Sequence, residues 1–159
     1  AASYVRTEMN TDLKGPGNIR QKLRLKKIGE NDIDDALAQF TLERQLENAT
    51  KLAKKLFRRY RSQPIRRQEQ KVRQGLMTKG YASTIYDQVK DQVEPEEDFD
   101  QQEELLNHQA EKIWHRYRRY QGYEREMKFK QAMYRKGFDL DATQAWLDRQ
   151  DSEESFSDE

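Results

Sequence analysis

The sequence predicts an all-α protein assembled from tandem three-helix repeats, and three observations predict it. Apolar residues recur at steps of three and four, as in Leu42, Leu46, Ala49, Leu52, Leu56 and Tyr60. No stretch alternates at period two for long enough to propose a strand. Two Lys-Gly-aromatic triplets, Lys79-Gly80-Tyr81 and Lys136-Gly137-Phe138, have matching surroundings, so a whole unit recurs.

The repeat can be laid out residue by residue. One block is Val72, Leu76, Lys79, Gly80, Tyr81, Ile85, Val89; its copy is Phe129, Met133, Lys136, Gly137, Phe138, Ala142, Trp146. A weaker copy lies upstream at Ile19, Leu23, Lys26, Lys27, Ile28, Ile33 and Leu37, with Lys27 where the glycine should stand. The blocks recur 53 and then 57 residues apart, a period typical of supersecondary units in an array. Before each block the pattern Ala49, Lys51, Leu52, Lys55, Leu56, Arg58 is echoed by Ala110, Lys112, Ile113, Arg116, Tyr117, Arg119.

Each element follows from this layout. Tyr4–Met9 reads as the end of a first helix, and Gly15-Pro16-Gly17 as the break before the next. The long helix from Leu42 closes at the turn Ser62-Gln63-Pro64, with Pro64 at a favoured helix start. Gly80 and Gly137 end the second helices in a left-handed turn, after which Tyr81 covers Leu76 and Phe138 covers Met133. Lys27 in the same position costs roughly 1 kcal/mol, so the first turn is expected to end differently. The short third helices are expected to start at Ser83 and Asp141, with Asn31 as a weaker cap in the first repeat. The expected divisions are a partial repeat over 1–40, repeats over 41–94 and 95–150, and a disordered acidic tail over 151–159. The array begins mid-unit, which points to further sequence upstream of Ala1.

Composition narrows the class. Apolar residues make up 34% of the chain and charged residues 37%, so the core is thin and spread along an elongated body. There is no cysteine, which excludes disulfide staples and thiolate metal sites. No window approaches the run of about 18 apolar residues that a membrane helix needs, and a soluble cytoplasmic protein is expected. The net charge of +1 hides segregation: Lys51–Arg73 carries ten cations against Glu69 alone. Lys112–Lys136 carries nine against Glu124 and Glu126, while Glu94–Glu104 carries seven acids and no base. Such alternation marks faces that meet charged partners.

The run YVRTEMNTDLKGPGNIRQKLRLKKI at Tyr4–Ile28, the two Lys-Gly-aromatic blocks, and the clusters FRRYR at Phe57–Arg61 and YRRYQ at Tyr117–Gln121 together resemble the RecX family. The likeness runs over nearly all of residues 4–150. It implies tandem three-helix repeats in a curved, elongated body that binds the groove of the RecA filament on single-stranded DNA. It further implies a monomeric regulator, mainly an inhibitor, that suppresses strand exchange, ATPase and coprotease activities, within DNA repair and the SOS response. No cofactor and no catalytic residue are expected.

The partner-binding candidates are Lys51, Lys55, Arg58, Arg59, Arg66, Arg67, Arg116 and Arg119. On the long helices they lie away from the apolar stripe, and cations there suit both acidic protein surface and phosphates. The bland alternative, a solvated face with paired charges, suits Lys51–Arg73 poorly because acids are almost absent. Tyr60, Tyr117, Tyr120 and Tyr123 interleave with arginine as stacking platforms can, but aromatics at helical spacing are more often core. Trp114 and Trp146 read as packing residues. His108 and His115, seven apart, lack a third ligand and read as surface groups. No phosphate loop, nucleophile elbow or zinc helix motif occurs. A helical nucleic-acid-binding protein acting directly on DNA stays open as the alternative, with a general helical adaptor behind it.

Overall fold

A computed structural model describes residues 1–95 and 99–157. Among the described residues the chain forms nine α-helices and no strand. They are α1 (Ala2–Thr11), α2 (Pro16–Leu25), α3 (Glu30–Leu37), α4 (Leu42–Arg59), α5 (Ile65–Thr78), α6 (Ile85–Val89), α7 (Phe99–Arg116), α8 (Gly122–Arg135) and α9 (Leu140–Ser157). A 3-10 turn, Lys90–Gln92, follows α6. The helices fall into triplets: α4–α6 and α7–α9 each have an 18-residue first and a 14-residue second helix, while α1, α2 and α3 have 10, 10 and 8 residues.

Two compact units result, each with its own core. Residues 1–60 and 69–95 make the first, and 61–68 with 96–159 the second. In the first unit, α4 buries Ala49, Leu52, Ala53, Leu56 and Phe57 against Ile19, Leu23, Ile33, Val72, Leu76 and Val89. Thr41 starts α4 with its hydroxyl accepting from the Arg44 N–H at 3.2 Å, one of the donors that a helix start leaves open. In the second unit Leu106, Ala110 and Ile113 of α7 meet Phe129 and Met133 of α8 and Trp146 and Leu147 of α9. Trp114 lies edge-on to Phe129 at 5.3 Å between ring centres, and Trp146 packs on the same ring at 5.3 Å. Both tryptophans are therefore core groups, as their spacing predicts.

All three second helices end in the same way. The Tyr81 N–H reaches the Leu76 carbonyl at 3.1 Å and the Gly80 N–H the Met77 carbonyl at 3.0 Å. Phe138 to Met133 and Gly137 to Tyr134 repeat this at 3.1 and 2.9 Å. So do Ile28 to Leu23 and Lys27 to Arg24, at 3.1 and 2.9 Å. Lys27 takes φ +62°, against +99° at both glycines. The expectation that the first turn ends differently is thus corrected. The left-handed penalty is about 1 kcal/mol, and two backbone bonds plus the half-buried Ile28 offset it.

Other expectations at helix starts also shift. α3 begins at Glu30 after Gly29 rather than at Asn31. The Asp139 carboxylate, not that of Asp141, faces the first turn of α9, accepting from the Asp141 N–H at 3.3 Å. α6 starts after Thr84 with no side-chain cap, so Ser83 has no such role. The tail expected to be disordered from 151 is helical through Ser157, because extending a helix already anchored by Trp146 and Leu147 avoids a second nucleation. Residues 158–159, and the acids at 96–98, lie outside the described residues.

The glycine turns have a second duty that places the basic helices. In the first unit, the start of α2 sits on the end of α5. The Gly15 N–H bonds the Lys79 carbonyl at 2.7 Å, the Gly17 N–H the Gly80 carbonyl at 2.9 Å, and the Asn18 amide the Thr78 carbonyl at 2.8 Å. A Cβ on Gly80 would lie 2.4 Å from the Asn18 nitrogen. In the second unit, the start of α5 sits on the end of α8 in the same manner. The Arg67 guanidinium donates to the Arg135 carbonyl at 2.8 Å, and a Cβ on Gly137 would come within 3.1 Å of the Arg67 Cβ. In the first joint open N–H groups at a helix start meet open carbonyls at a helix end, and in the second arginine side chains from the helix start supply the donors.

Candidate partner-binding surface

The long helix α4 sorts its residues cleanly. Its apolar stripe is buried, while Lys51, Lys55, Arg58 and Arg59 are exposed on the opposite side. Lys51, Lys55 and Arg59 have no acidic partner among the described residues. The scarcity of acids between 51 and 73 visible in the sequence is therefore real in three dimensions. Other cations of the first unit, Arg73 of the same stretch among them, do have acidic partners. Arg20 bonds Glu30 at 3.1 Å and Asp34 at 2.7 Å, Arg24 bonds Glu30 at 2.6 Å, and Arg73 bonds Asp87 at 3.0 Å. Lys14 sits 2.6 Å from the buried Glu8, whose carboxylate pushes the ammonium pKa up.

Arg66 and Arg67, expected as partner contacts, are half-buried and engaged within the second unit. The Arg66 guanidinium lies 3.8 Å from the centre of the Tyr134 ring and 3.4 Å from the Tyr134 and Phe138 carbonyls. Arg67 holds the Arg135 carbonyl. Their positive charge meets the negative end of α8, which accounts for both without any partner. Gln68 completes this corner: fully buried, it donates from its amide to the Gln63 carbonyl at 2.8 Å. Arg116 and Arg119 are exposed on α7 and its C-terminal turn, and Arg119 lies over the Tyr120 ring at 5.1 Å.

The sequence did not single out a cleft of about 390 Å³ between α4, α5 and the segment after α1. Lys55, Arg59, Lys71 and Lys79 bring four cations to it, with Asp12 the one acid. Leu13, Leu52, Leu56 and Tyr60 supply apolar surface, and Gln74 and Thr78 supply polar groups. Lys71 and Lys79 lie eight residues apart on α5 and its terminal turn, and no spacing rule joins them to α4. The joining contact is tertiary.

The aromatics that interleave with arginine divide, although their helical spacing favours core for all four. Tyr60, Tyr117 and Tyr120 are half-buried, and Tyr117 and Tyr120 pack together at 6.1 Å. Tyr123 is exposed. His108 and His115 are both on the surface of α7. Among the described residues no helix is long and apolar enough to cross a membrane.

Fold and surface define a class: an all-α protein of tandem three-helix units with a basic face on a long helix. The family pattern described as the third three-helix domain of RecX matches residues 43–89 and again 100–147, and the second three-helix domain matches 1–37. The chain belongs to the RecX family. The regulatory protein RecX of Limosilactobacillus reuteri strain DSM 20016 is 69% identical over 151 residues, covering 95% of this chain and 57% of the relative. The regulatory protein RecX of Bacillus subtilis strain 168 is 35% identical over 151 residues, again 95% and 57% of the two chains. The chain thus spans just over half the length of the curated relatives it matches. A crystal structure of a regulatory protein RecX is 71% identical with a TM-score of 0.55, covering 57% of this chain and 44% of that one. That of RecX from Lactobacillus salivarius is 40% identical with the same TM-score, over 58% and 60%.

Proposed function

We propose that this chain carries the filament-docking part of a regulator, mainly an inhibitor, of the RecA recombinase, acting without chemistry of its own in the cytoplasm. The observation that supports this best is the α4 face, where Lys51, Lys55 and Arg59 have no acidic partner among the described residues. Unpaired cations on a rigid helix suit a filament that offers acidic protein surface and strand phosphates. Arg58, Arg116 and Arg119 extend the contact, whereas Arg66 and Arg67 act inside the second unit. Tandem units add contact in register along a periodic partner, so a monomer can span neighbouring subunits.

The test is RecA's ATP hydrolysis on single-stranded DNA while this chain is titrated in. A fall in rate at well below one chain per recombinase is expected. Reversing Arg58 and Arg59 together to glutamate weakens the effect and leaves the helical circular dichroism unchanged. Unaltered inhibition by that variant removes the α4 face from the proposal. Tight binding to naked single or double strands near physiological salt, without preference for the filament, would favour the direct DNA-binding reading instead.

A further inference from the structure

Helix α8 is apolar on two sides. Phe129, Ala132 and Met133 are buried in the core, while Tyr123, Met127 and Tyr134 follow one another along the opposite side. With Leu140 at the start of α9 they make an outward apolar stripe: Tyr123 is 76% exposed, Tyr134 48% and Leu140 49%. A shallow cleft of about 490 Å³ joins Met127, Tyr134 and Leu140 to Lys130, Gln131 and Arg135. The first unit shows that the repeat does not require this face. At the spacing of 57 residues, Met127 corresponds to Gln70 and Leu140 to Ser83. Lys130 corresponds to Arg73, which pairs with Asp87 at 3.0 Å and lies over the Tyr86 ring at 4.4 Å. In the second unit those two partners become Gln144, which bonds Asp148 at 3.0 Å, and the buried Thr143. Relative to the first unit, the same face carries two more apolar side chains and lacks the acid that held its cation. Lys130 and Arg135 have no acidic partner among the described residues, and Arg135 donates to the Gln131 carbonyl at 3.4 Å.

We propose that this face takes an amphipathic helix of the docking partner, lying antiparallel to α8 with acids in its first turns. The identity of that partner rests on the function proposed above; its chemistry does not. From Tyr123 to Tyr134 the stripe runs about 16 Å, the footprint of a helix rather than of one side chain. An extended segment would find no strand edge here, and its open N–H and C=O groups would lie on apolar surface, whereas a helix satisfies its own. Charge sets the direction. Glu124 and Glu126 flank the start of the stripe, and Lys130 and Arg135 its end. Acids at the start of the incoming helix suit both that helix's dipole and the cations they meet. A phosphodiester chain fits poorly, because half of the stripe would set carboxylates against its phosphates. A second copy of α8 matches the charges too, but Tyr123 and the six cleft residues fall far short of the roughly 20–30 a side that a stable pair uses. A partner already held at α4 presents its helix at high local concentration, so a small contact suffices.

The probe is a labelled synthetic helix with leucines along one side, glutamates in its first turns and lysines in its last. A companion exchanges the glutamates and lysines, which keeps net charge and apolar content the same, and oligothymidylate is the third ligand. Fluorescence anisotropy with the whole chain ranks them. The glutamate-first peptide binds at least about fivefold more tightly than its companion. Lys130→Glu with Arg135→Glu reverses that order. Met127→Gln with Leu140→Ser, which copies the first unit, weakens both peptides about tenfold or more at unchanged circular dichroism. A proline midway along the glutamate-first peptide breaks its helix and abolishes binding. Equal binding of the two peptides overturns the proposal, and so does binding that survives the proline. Oligothymidylate that binds as tightly as the glutamate-first peptide overturns it in favour of a nucleic-acid surface. Dimerisation in sedimentation equilibrium that is lost with Met127→Gln and Leu140→Ser overturns it in favour of a second copy. The two readings fail separately. Peptide discrimination, with RecA's ATP hydrolysis inhibited equally by the Met127→Gln, Leu140→Ser variant, keeps the helix-binding face and removes the recombinase as its occupant. Inhibition of RecA by a chain that does not tell the peptides apart does the reverse.

Discussion

Replacing Gly80 by alanine should destabilise the first unit far more than the same change at any exposed turn. The new Cβ would have to live at φ +99°, well outside the left-handed well near +57° that other residues tolerate. That alone costs about 1–2 kcal/mol. The methyl would also lie 2.4 Å from the Asn18 nitrogen and 2.9 Å from its Cβ, so the start of α2 must lift away. Lifting it breaks the Gly15–Lys79, Gly17–Gly80 and Asn18–Thr78 hydrogen bonds, each contributing about 1 kcal/mol. Together the loss is roughly 4–5 kcal/mol. Gly122 is the internal control: it too has positive φ, +56°, but a Cβ there meets nothing within 4 Å. Gly122→Ala should cost only about 1 kcal/mol. Gly137→Ala belongs between them, because its nearest neighbour is the Arg67 Cβ at 3.1 Å. Denaturant unfolding followed by far-ultraviolet circular dichroism gives the three values. Fluorescence follows the second unit, which holds both Trp114 and Trp146. A Gly80→Ala loss no larger than that of Gly122→Ala would refute the claim that this glycine serves a packing joint.

Lys27→Gly should stabilise the chain by up to about 1 kcal/mol in the same experiment, since it removes a left-handed lysine from an exposed site. Arg67→Ala should lower stability by about 1–2 kcal/mol, by releasing the Arg135 carbonyl, while inhibition of RecA per folded molecule stays the same. Stability should fall as pH rises past about 10, because burial raises the pKa of Tyr81 above its ordinary value of 10.0. The unfolded phenol then ionises while the native one, donating to the Leu13 carbonyl at 2.8 Å, stays protonated. Tyr81→Phe should flatten that alkaline slope in pH-dependent melting curves.

The helices and their grouping were legible because one repeat recurs at fixed spacing, and apolar positions such as Leu52, Leu76, Ile113 and Met133 are all buried. The left-handed Lys27 was not, because the cost that argues against it is small beside the hydrogen bonds that require it. The engagement of Arg66 and Arg67 within the second unit was hidden for a different reason. A cation in a basic run carries no mark of whether a carbonyl lies nearby, and theirs come from residues about 68 positions later. The same blindness hid the meeting of Lys71 and Lys79 with Lys55 and Arg59, which packing of α4 on α5 brings about. Gly75, which lines that cleft, did leave a trace. It stands inside the unbroken helix α5 where the second repeat has Ala132, a departure with no local purpose that a comparison of the repeats could have caught.

The joints at Gly80 and Gly137 have a direction. Each couples donors at one helix start, backbone at Gly80 and arginine side chains at Gly137, to carbonyls at another helix end, and α5 takes part in both. A tandem duplication that copies a whole repeat therefore carries a matching plug and socket with it, and the enlarged protein needs no newly invented interface. Duplicating half a repeat would set two carbonyl ends or two amide ends face to face. The ancestry of such a chain should accordingly advance in whole repeats, with glycine kept where the start of a neighbouring helix docks, as at Gly80 and Gly137.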